Sequence, residues 1–195
     1  MLKLILNKKY NPLFESDARY FIITGGRGSG KSFAATVFLT LLTMTKGIRI
    51  LFTRFTMTSA HLSIIPEFLE KIGLLGFEDV FSINKAEVLN RSNQSDILFR
   101  GIRTSAGNQT ASLKSLQGIS TWVLDEAEEL IDEDIFDTID LSIREKDIQN
   151  RIILILNPVT KEHWIYNRFF ENKGVEGGFN GIKDNVCYIH STYLD

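Results

Sequence analysis

Three short stretches of this sequence hold residues whose types and spacing suit phosphate chemistry. The first, "GGRGSGKS", places Gly25, Gly30, Lys31 and Ser32 in the spacing G-x-x-x-x-G-K-[ST]. A strand-like run, "RYFIIT", precedes it and a helix-like run, "SFAATVFLTLLT", follows it. In that context the N–H groups of the loop and of the helix start point at a phosphate chain. Glycine permits the close backbone approach and the positive φ that such a loop needs. Lys31 would pair with the β- and γ-phosphates, and Ser32 would ligate Mg²⁺. Gly25, Gly26, Arg27, Gly28, Ser29, Gly30, Lys31, Ser32 and Phe33 are therefore the expected ATP-binding residues. The spacing rule leaves the place of Arg27 free. An arginine there either reaches the γ-phosphate from within its own subunit or is an ordinary exposed loop residue.

The second stretch, "TWVLDEAEEL", is a buried-strand pattern ending in Asp125 and Glu126. In α/β folds ligands sit at the carboxyl ends of strands, so both acids face the loop's phosphate. Asp125 would hold Mg²⁺, and Glu126 would orient and activate the attacking water. Glu128, Glu129, Asp132, Glu133 and Asp134 read as acids gathered at the start of a helix. The third stretch, "RIILILNPVTKEHW", ends another buried strand at Asn157. Its amide either bonds the γ-phosphate or the catalytic water, or belongs to an Asn-Pro turn that ends the strand.

These residues need a scaffold that brings strand ends together. Apolar runs of strand length recur at Tyr20–Thr24, Ile48–Thr53, Ile97–Arg100, Thr121–Leu124, Arg151–Leu156 and Val186–Ser191. Several are continuous rather than alternating, as in strands covered on both faces. Helical patterns lie between them at Lys31–Thr45, Thr58–Ile72 (ending at Gly73), Asp134–Glu145 (with Ile135, Phe136, Ile139 and Ile143 on one face) and Glu162–Glu171, and Phe77–Gly101 reads as a shorter β insertion. The alternation predicts an α/β fold with a mainly parallel, doubly wound sheet flanked by helices.

Composition agrees with one globular domain. Of 195 residues, 44% are hydrophobic and 24% charged, enough for a sizeable core. The net charge of −2 excludes a globally basic nucleic-acid binder but leaves room for a local basic stripe. The single cysteine, Cys187, permits no intrachain disulfide and reads as a buried thiol. The opening "MLKLILNKKY" is too short an apolar run for a signal peptide or membrane span, so no membrane partner is expected. The abrupt end at "NVCYIHSTYLD" reads as a cut at a domain border.

The blocks "YNPLFESDARYFIITGGRGSGKS", "LKSLQGISTWVLDEAEEL" and "ILILNPVTKEHWIYNRFF" together resemble the large terminase subunits of tailed bacteriophages, nearly end to end. The resemblance implies an ASCE-type, RecA-like P-loop ATPase over residues 1–195 that uses ATP and Mg²⁺ to pump double-stranded viral DNA into a procapsid. It implies a portal protein and a small terminase subunit as partners, a homo-oligomeric ring on the procapsid with a monomer possible in isolation, and work in the cytoplasm of the infected bacterium. An RNase H-like nuclease follows the ATPase in such proteins. It falls outside these residues, so no nuclease activity is expected here. On the same resemblance Arg27 falls at the family's loop arginine, Asp125 and Glu126 at its magnesium and catalytic acids, and Asn157 at its coupling motif. Tyr10–Tyr20 falls at the segment that cradles adenine, with Phe14 and Arg19 as candidate contacts.

The sequence departs from the family in one place. Several relatives carry an arginine finger in an "L-R-G" stretch, where this chain reads "SLKSLQG". Lys114, Arg100 and Arg103 are the remaining candidates for a finger acting on a neighbouring subunit, although lysine lacks the planar fork. Arg54, Arg103 and Lys114 could also touch DNA phosphates, or Arg54 could pair with the acids near the nucleotide. His163 and Trp164 read as structural. A helicase is the alternative reading, because "DEAE" echoes helicase acidic motifs.

Overall fold

The computed structural model of the protein describes residues 4–57, 60–104, 107–108, 113 and 116–195. Its centre is a ten-stranded sheet. Six of the strands run parallel, and they grow from the six apolar runs of the sequence. They are β1 (Tyr20–Gly25), β2 (Arg49–Thr56), β5 (Asp96–Thr104), β7 (Thr121–Asp125), β8 (Arg151–Leu156) and β10 (Val186–Ser191). Their order across the sheet is β5-β2-β7-β8-β1-β10. β3 (Phe81–Ile83) and β4 (Glu87–Asn90) extend one edge as an antiparallel pair beside β5, which also pairs antiparallel with β6 (Gly107–Asn108). β9 (Gly181–Lys183) pairs antiparallel with β10 at the other edge.

The continuous apolar runs have a direct cause. Successive strand side chains point to opposite faces, and both faces are covered. Phe21, Ile23, Phe52, Val123, Ile153 and Ile155 enter one core, with Phe38 and Leu39 of α2 (Lys31–Leu42) and Ile65 and Phe68 of α3 (Ala60–Leu75). Ile22, Leu51, Trp122, Leu124, Leu154 and Leu156 enter the other. There they meet Phe136 and Ile139 of α4 (Glu133–Asp140) and Ile165 and Phe169 of α5 (Trp164–Phe169). The short α1 (Pro12–Glu15) adds Leu13 to the first core. Each fully buried large apolar side chain contributes about 1.5–3 kcal/mol, so the two cores hold the strands in register.

Register decides the function of this sheet. Gly25 pairs with Ser191, Thr24 with Leu156, and Asp125 with Ile155. The glycine loop, the acidic strand end and Asn157 therefore emerge level, at the carboxyl ends of three adjacent central strands.

All four expected helices differ at their ends: α2 stops at Leu42 rather than Thr45, α5 spans only Trp164–Phe169 rather than 162–171, and two further ends have a visible cause. The helix over 58–72 does not stop at Gly73. It runs to Leu75, and Gly76 closes it in the left-handed region at φ 71°, with Phe77 N–H donating to Ile72 O. The helix expected over 134–145 ends at Asp140. Its face is as expected, and Ile143 is still buried. However, the Arg19 guanidinium takes the carbonyls of Asp140 and Ile143, and the chain finishes in tight turns. Among the described residues no helix is long and apolar enough to cross a membrane.

Candidate active site

The loop of residues 25–30 leaves β1 and enters α2. Gly30 makes this junction in the left-handed region at φ 82°, immediately before the first helical residue, Lys31. An L side chain would strain there. At Gly25 the constraint is space, because a Cβ would lie 2.2 Å from the Ser191 carbonyl oxygen of the neighbouring strand. The loop is braced from within and from outside. Ser29 Oγ donates to Gly26 O at 2.8 Å, and the Tyr10 hydroxyl donates to Ser29 O at 2.9 Å while sharing a hydrogen bond with Ser191 Oγ.

Above the strand ends lies a cavity of 380 Å³. The loop from Gly26 to Phe33 forms one wall. Arg54 from β2, Asp125 at the end of β7, Glu126 just after it, Glu128 and Asn157 form the other. Lys31 Nζ donates to Gly25 O at 2.5 Å and Gly26 O at 3.0 Å, and lies 3.5 Å from Asn157 Oδ1. Burial pulls the Lys31 ammonium below its ordinary range, opposed by the nearby Glu128 and Asp125 carboxylates. Arg27 is exposed at the rim.

Asp125 is buried, and its Oδ2 accepts from Arg54 Nε at 2.8 Å and lies 2.6 Å from Arg54 Nη2. Burial raises the Asp125 carboxyl above its usual range, and Arg54 pulls it back. Glu126 turns the chain in the left-handed region, at φ 54° and ψ 46°. For a residue with a Cβ this costs on the order of 1 kcal/mol or more. The turn aims the Glu126 side chain, 44% exposed, at the cavity, 3.6 Å from Arg54 Nε. Burial raises its carboxyl too, and Arg54 again opposes. Asp125 and Ser32 line the same cavity and offer hard oxygen donors, the kind of ligand Mg²⁺ takes. The chemistry available is that of phosphoryl transfer: a cationic loop, an oxygen donor pair and an acid directed at open space.

The structure does not bring Phe14 and Arg19 to this place. Arg19 precedes β1, so the whole strand, roughly 20 Å at about 3.3 Å per residue, separates it from the loop. There its guanidinium binds Asp140 Oδ1 at 2.5 Å. Phe14 packs edge-on against Phe38 at 5.1 Å, and lines neither the 380 Å³ cavity nor its 200 Å³ neighbour. That neighbouring cavity lies on the far side of the loop, against Asn7, Tyr10, Gly28, Gly30 and Tyr193. Arg100 and Arg103 sit on β5, away from this cavity. Arg100 donates to Phe99 O, and Arg103 lies over the Phe55 ring. Lys114 lies outside the described residues.

Glu128 is the site residue that reading by sequence missed. It looked like one acid among several, but the short 3-10 turn over Ala127–Glu129 folds it back into the cavity wall, where Oε1 accepts from Asn157 Nδ2 at 2.6 Å. Its place three residues after Asp125, one turn on, was the available signal. His163 and Trp164 are structural as expected: His163 caps α5 and Trp164 Nε1 donates to Leu130 O.

A mainly parallel sheet with a glycine loop and an acid pair at its strand ends defines a RecA-like P-loop fold. The chain belongs to the phage terminase large subunit family, whose model matches residues 17–195. Among solved structures it resembles the large terminase of a thermophilic bacteriophage, with a TM-score of 0.75 at 11% identity, covering 98% of this chain and 47% of that one. It also resembles the large terminase ATPase domain of Thermus phage P74-26, with a TM-score of 0.68 at 19% identity over 95% of this chain and 80% of that one. The N-terminal domain of the DNA packaging ATPase of bacteriophage phi29 matches with a TM-score of 0.69 at 17% identity, over 95% and 96% of the two chains. The first of these, the thermophilic-phage terminase, has also been solved with ATP-gamma-S. The chain spans about half the length of that terminase. No curated protein sequence matches it.

Proposed function

We propose that this chain hydrolyses ATP with Mg²⁺, and that the hydrolysis drives double-stranded viral DNA into a procapsid. The observation that carries the enzymatic part is the convergence of Lys31, Ser32, Asp125, Glu126 and Asn157 on one cavity. Family membership supports the packaging role over that of a helicase, as does the likeness to the phi29 packaging ATPase. In this reading the loop N–H groups and Lys31 hold the β- and γ-phosphates. Ser32 and Asp125 would hold Mg²⁺, which when bound neutralises charge between the β- and γ-phosphates. Glu126 takes the proton of the attacking water, and Asn157 contacts the γ-phosphate end. The base rests in the cavity beside Tyr10 and Tyr193 rather than near Phe14 and Arg19.

The partners follow the same reading: double-stranded DNA, a portal protein, a small terminase subunit and further copies of this chain in a ring, in the cytoplasm of an infected bacterium. Arg100, Arg103 or Lys114 serves the neighbouring copy as its finger. The test is ATP turnover by the purified chain with Mg²⁺, with EDTA, and with added linear duplex DNA. We expect a weak basal rate that DNA raises and EDTA abolishes. A chain that binds no ATP-gamma-S and releases no phosphate would end the proposal.

Arg27 has its own test. At the rim it is free to swing onto the γ-phosphate, so Arg27→Ala should lower turnover by about 10²-fold. ATP-gamma-S affinity and the melting temperature should change little. A wild-type rate in the variant would return Arg27 to an ordinary surface residue.

A further inference from the structure

Asn157 lies between two groups with opposite demands. A side-chain amide has one accepting oxygen and one donating NH₂. Its oxygen faces the Lys31 ammonium at 3.5 Å, and its NH₂ donates to Glu128 Oε1 at 2.6 Å. The carboxylate accepts only, and the ammonium donates only, so the pair fixes which end of the amide points at the loop. Glu128 is itself held from behind. Its carbonyl oxygen lies 3.1 Å from His163 Nε2, while His163 Nδ1 accepts from Ile165 N–H at 3.2 Å. With Nδ1 accepting, Nε2 carries the proton and donates to Glu128. Trp164 Nε1 donates to Leu130 O at 2.5 Å and clamps the same turn from its other end. The second carboxylate oxygen of Glu128, Oε2, is buried without a partner among the described residues. A surface acid at a helix start would turn both oxygens to water.

We infer that Glu128 is a positioning residue for hydrolysis: it holds Asn157 with its carbonyl oxygen toward Lys31 and its amide plane toward the γ-phosphate end of the cavity. The inference rests on the ATPase reading above. A γ-phosphate that draws the Lys31 ammonium onto itself leaves Asn157 still tethered to Glu128, so the amide keeps its aim while its other partner changes. Glu128 touches no reacting atom in this account and acts only through Asn157.

The test uses Glu128→Ala, Glu128→Gln, Asn157→Ala and the double variant Glu128→Ala/Asn157→Ala. Misplacing an aligned group by about 1 Å costs on the order of 10²-fold, so Glu128→Ala should lower kcat by about 10- to 100-fold. KM and ATP-gamma-S affinity should stay within about threefold. Glu128→Gln keeps an accepting oxygen for Asn157 and should recover most of kcat. The double variant should be no slower than Asn157→Ala alone, since residues acting as one unit are not additive. A readout independent of turnover is the ¹⁵N spectrum, in which the Asn157 NH₂ protons should be well separated in the wild type and collapse to exposed-amide positions in Glu128→Ala. The inference is overturned by a Glu128→Ala chain with wild-type kcat, by an unmoved Asn157 amide, or by Glu128→Gln as slow as Glu128→Ala, which would make Glu128 the proton acceptor. If Glu128→Ala fails to fold, Glu128→Gln and the wild-type amide signal still decide. A wild-type chain without ATP binding or turnover defeats the ATPase reading and this inference with it. Normal wild-type turnover beside an unimpaired Glu128→Ala defeats this inference alone.

Discussion

Lys31→Ala should yield a folded chain whose ATP turnover falls by about 10³-fold or more. The size of the effect follows from where the ammonium sits. Lys31 is half-buried in the first turn of α2, and its Nζ lies against the carbonyls of Gly25 and Gly26, on the axis of the loop. Partial burial makes its charge count for more than a surface charge would. Loop N–H groups remain to bind phosphate in the variant, but the ammonium placed to follow the charge that develops on the γ-phosphoryl group is lost. Nucleotide affinity should weaken as well, by the strength of one charge-assisted hydrogen bond, about 1.5–3 kcal/mol. Stability should change little, because Gly26 is exposed and water replaces the lysine there. The measurements are phosphate release, titration with a fluorescent ATP analogue and a thermal melt. Unchanged turnover in a folded variant would remove the centre of the ATPase reading.

The second large effect belongs to Glu126. Glu126→Gln should bind ATP about as well as the wild type and hydrolyse it about 10²- to 10⁴-fold more slowly, the range for loss of a general base. The side chain is aimed by backbone geometry. β7 ends at Asp125, the next residue turns into the left-handed region, and the carboxylate is carried out over the cavity. Glutamine keeps the shape and the turn but accepts no proton from water. Asp125 does not substitute for it, because Asp125 is buried and committed to Arg54. Single-turnover measurement with labelled ATP separates the steps: the variant should hold ATP unhydrolysed while the wild type releases phosphate. Hydrolysis at the wild-type rate would place the base elsewhere on the cavity wall.

Much of this site is legible along the chain. The six apolar runs became the six parallel strands, because a strand covered on both faces must be apolar at successive positions, and that pattern is local. The glycine loop is local in the same way: the left-handed turn at Gly30 and the close approach at Gly25 are demands on single residues. Asp125 and Glu126 stand at a strand end that can be read from the buried-strand pattern of Thr121–Leu124 before them. Periodicity also showed the buried face of α4, including Ile143, but not the early end of the helix. That end is set by Arg19, far away in sequence.

The sequence by itself therefore determined the six parallel strands, the loop and the identity of the acids, but not the short antiparallel β6 and β9. Tertiary structure alone decided which of them meet. Arg54 reaches Asp125 across 71 residues because β2 pairs with β7 in a particular register. Asn157 meets Glu128 across 29 residues because β8 lies beside β7. Tyr10 braces the loop through Ser191, 181 residues on, because β10 flanks β1. Arg19, near the loop in sequence, is kept from it by the length of β1. Register is set by the packing of two cores around the whole sheet, and a shift of one residue would reverse every side chain. Short-range spacing carries no record of that choice, so the partners of Arg54, Asn157 and Glu128 appear only once the sheet is assembled.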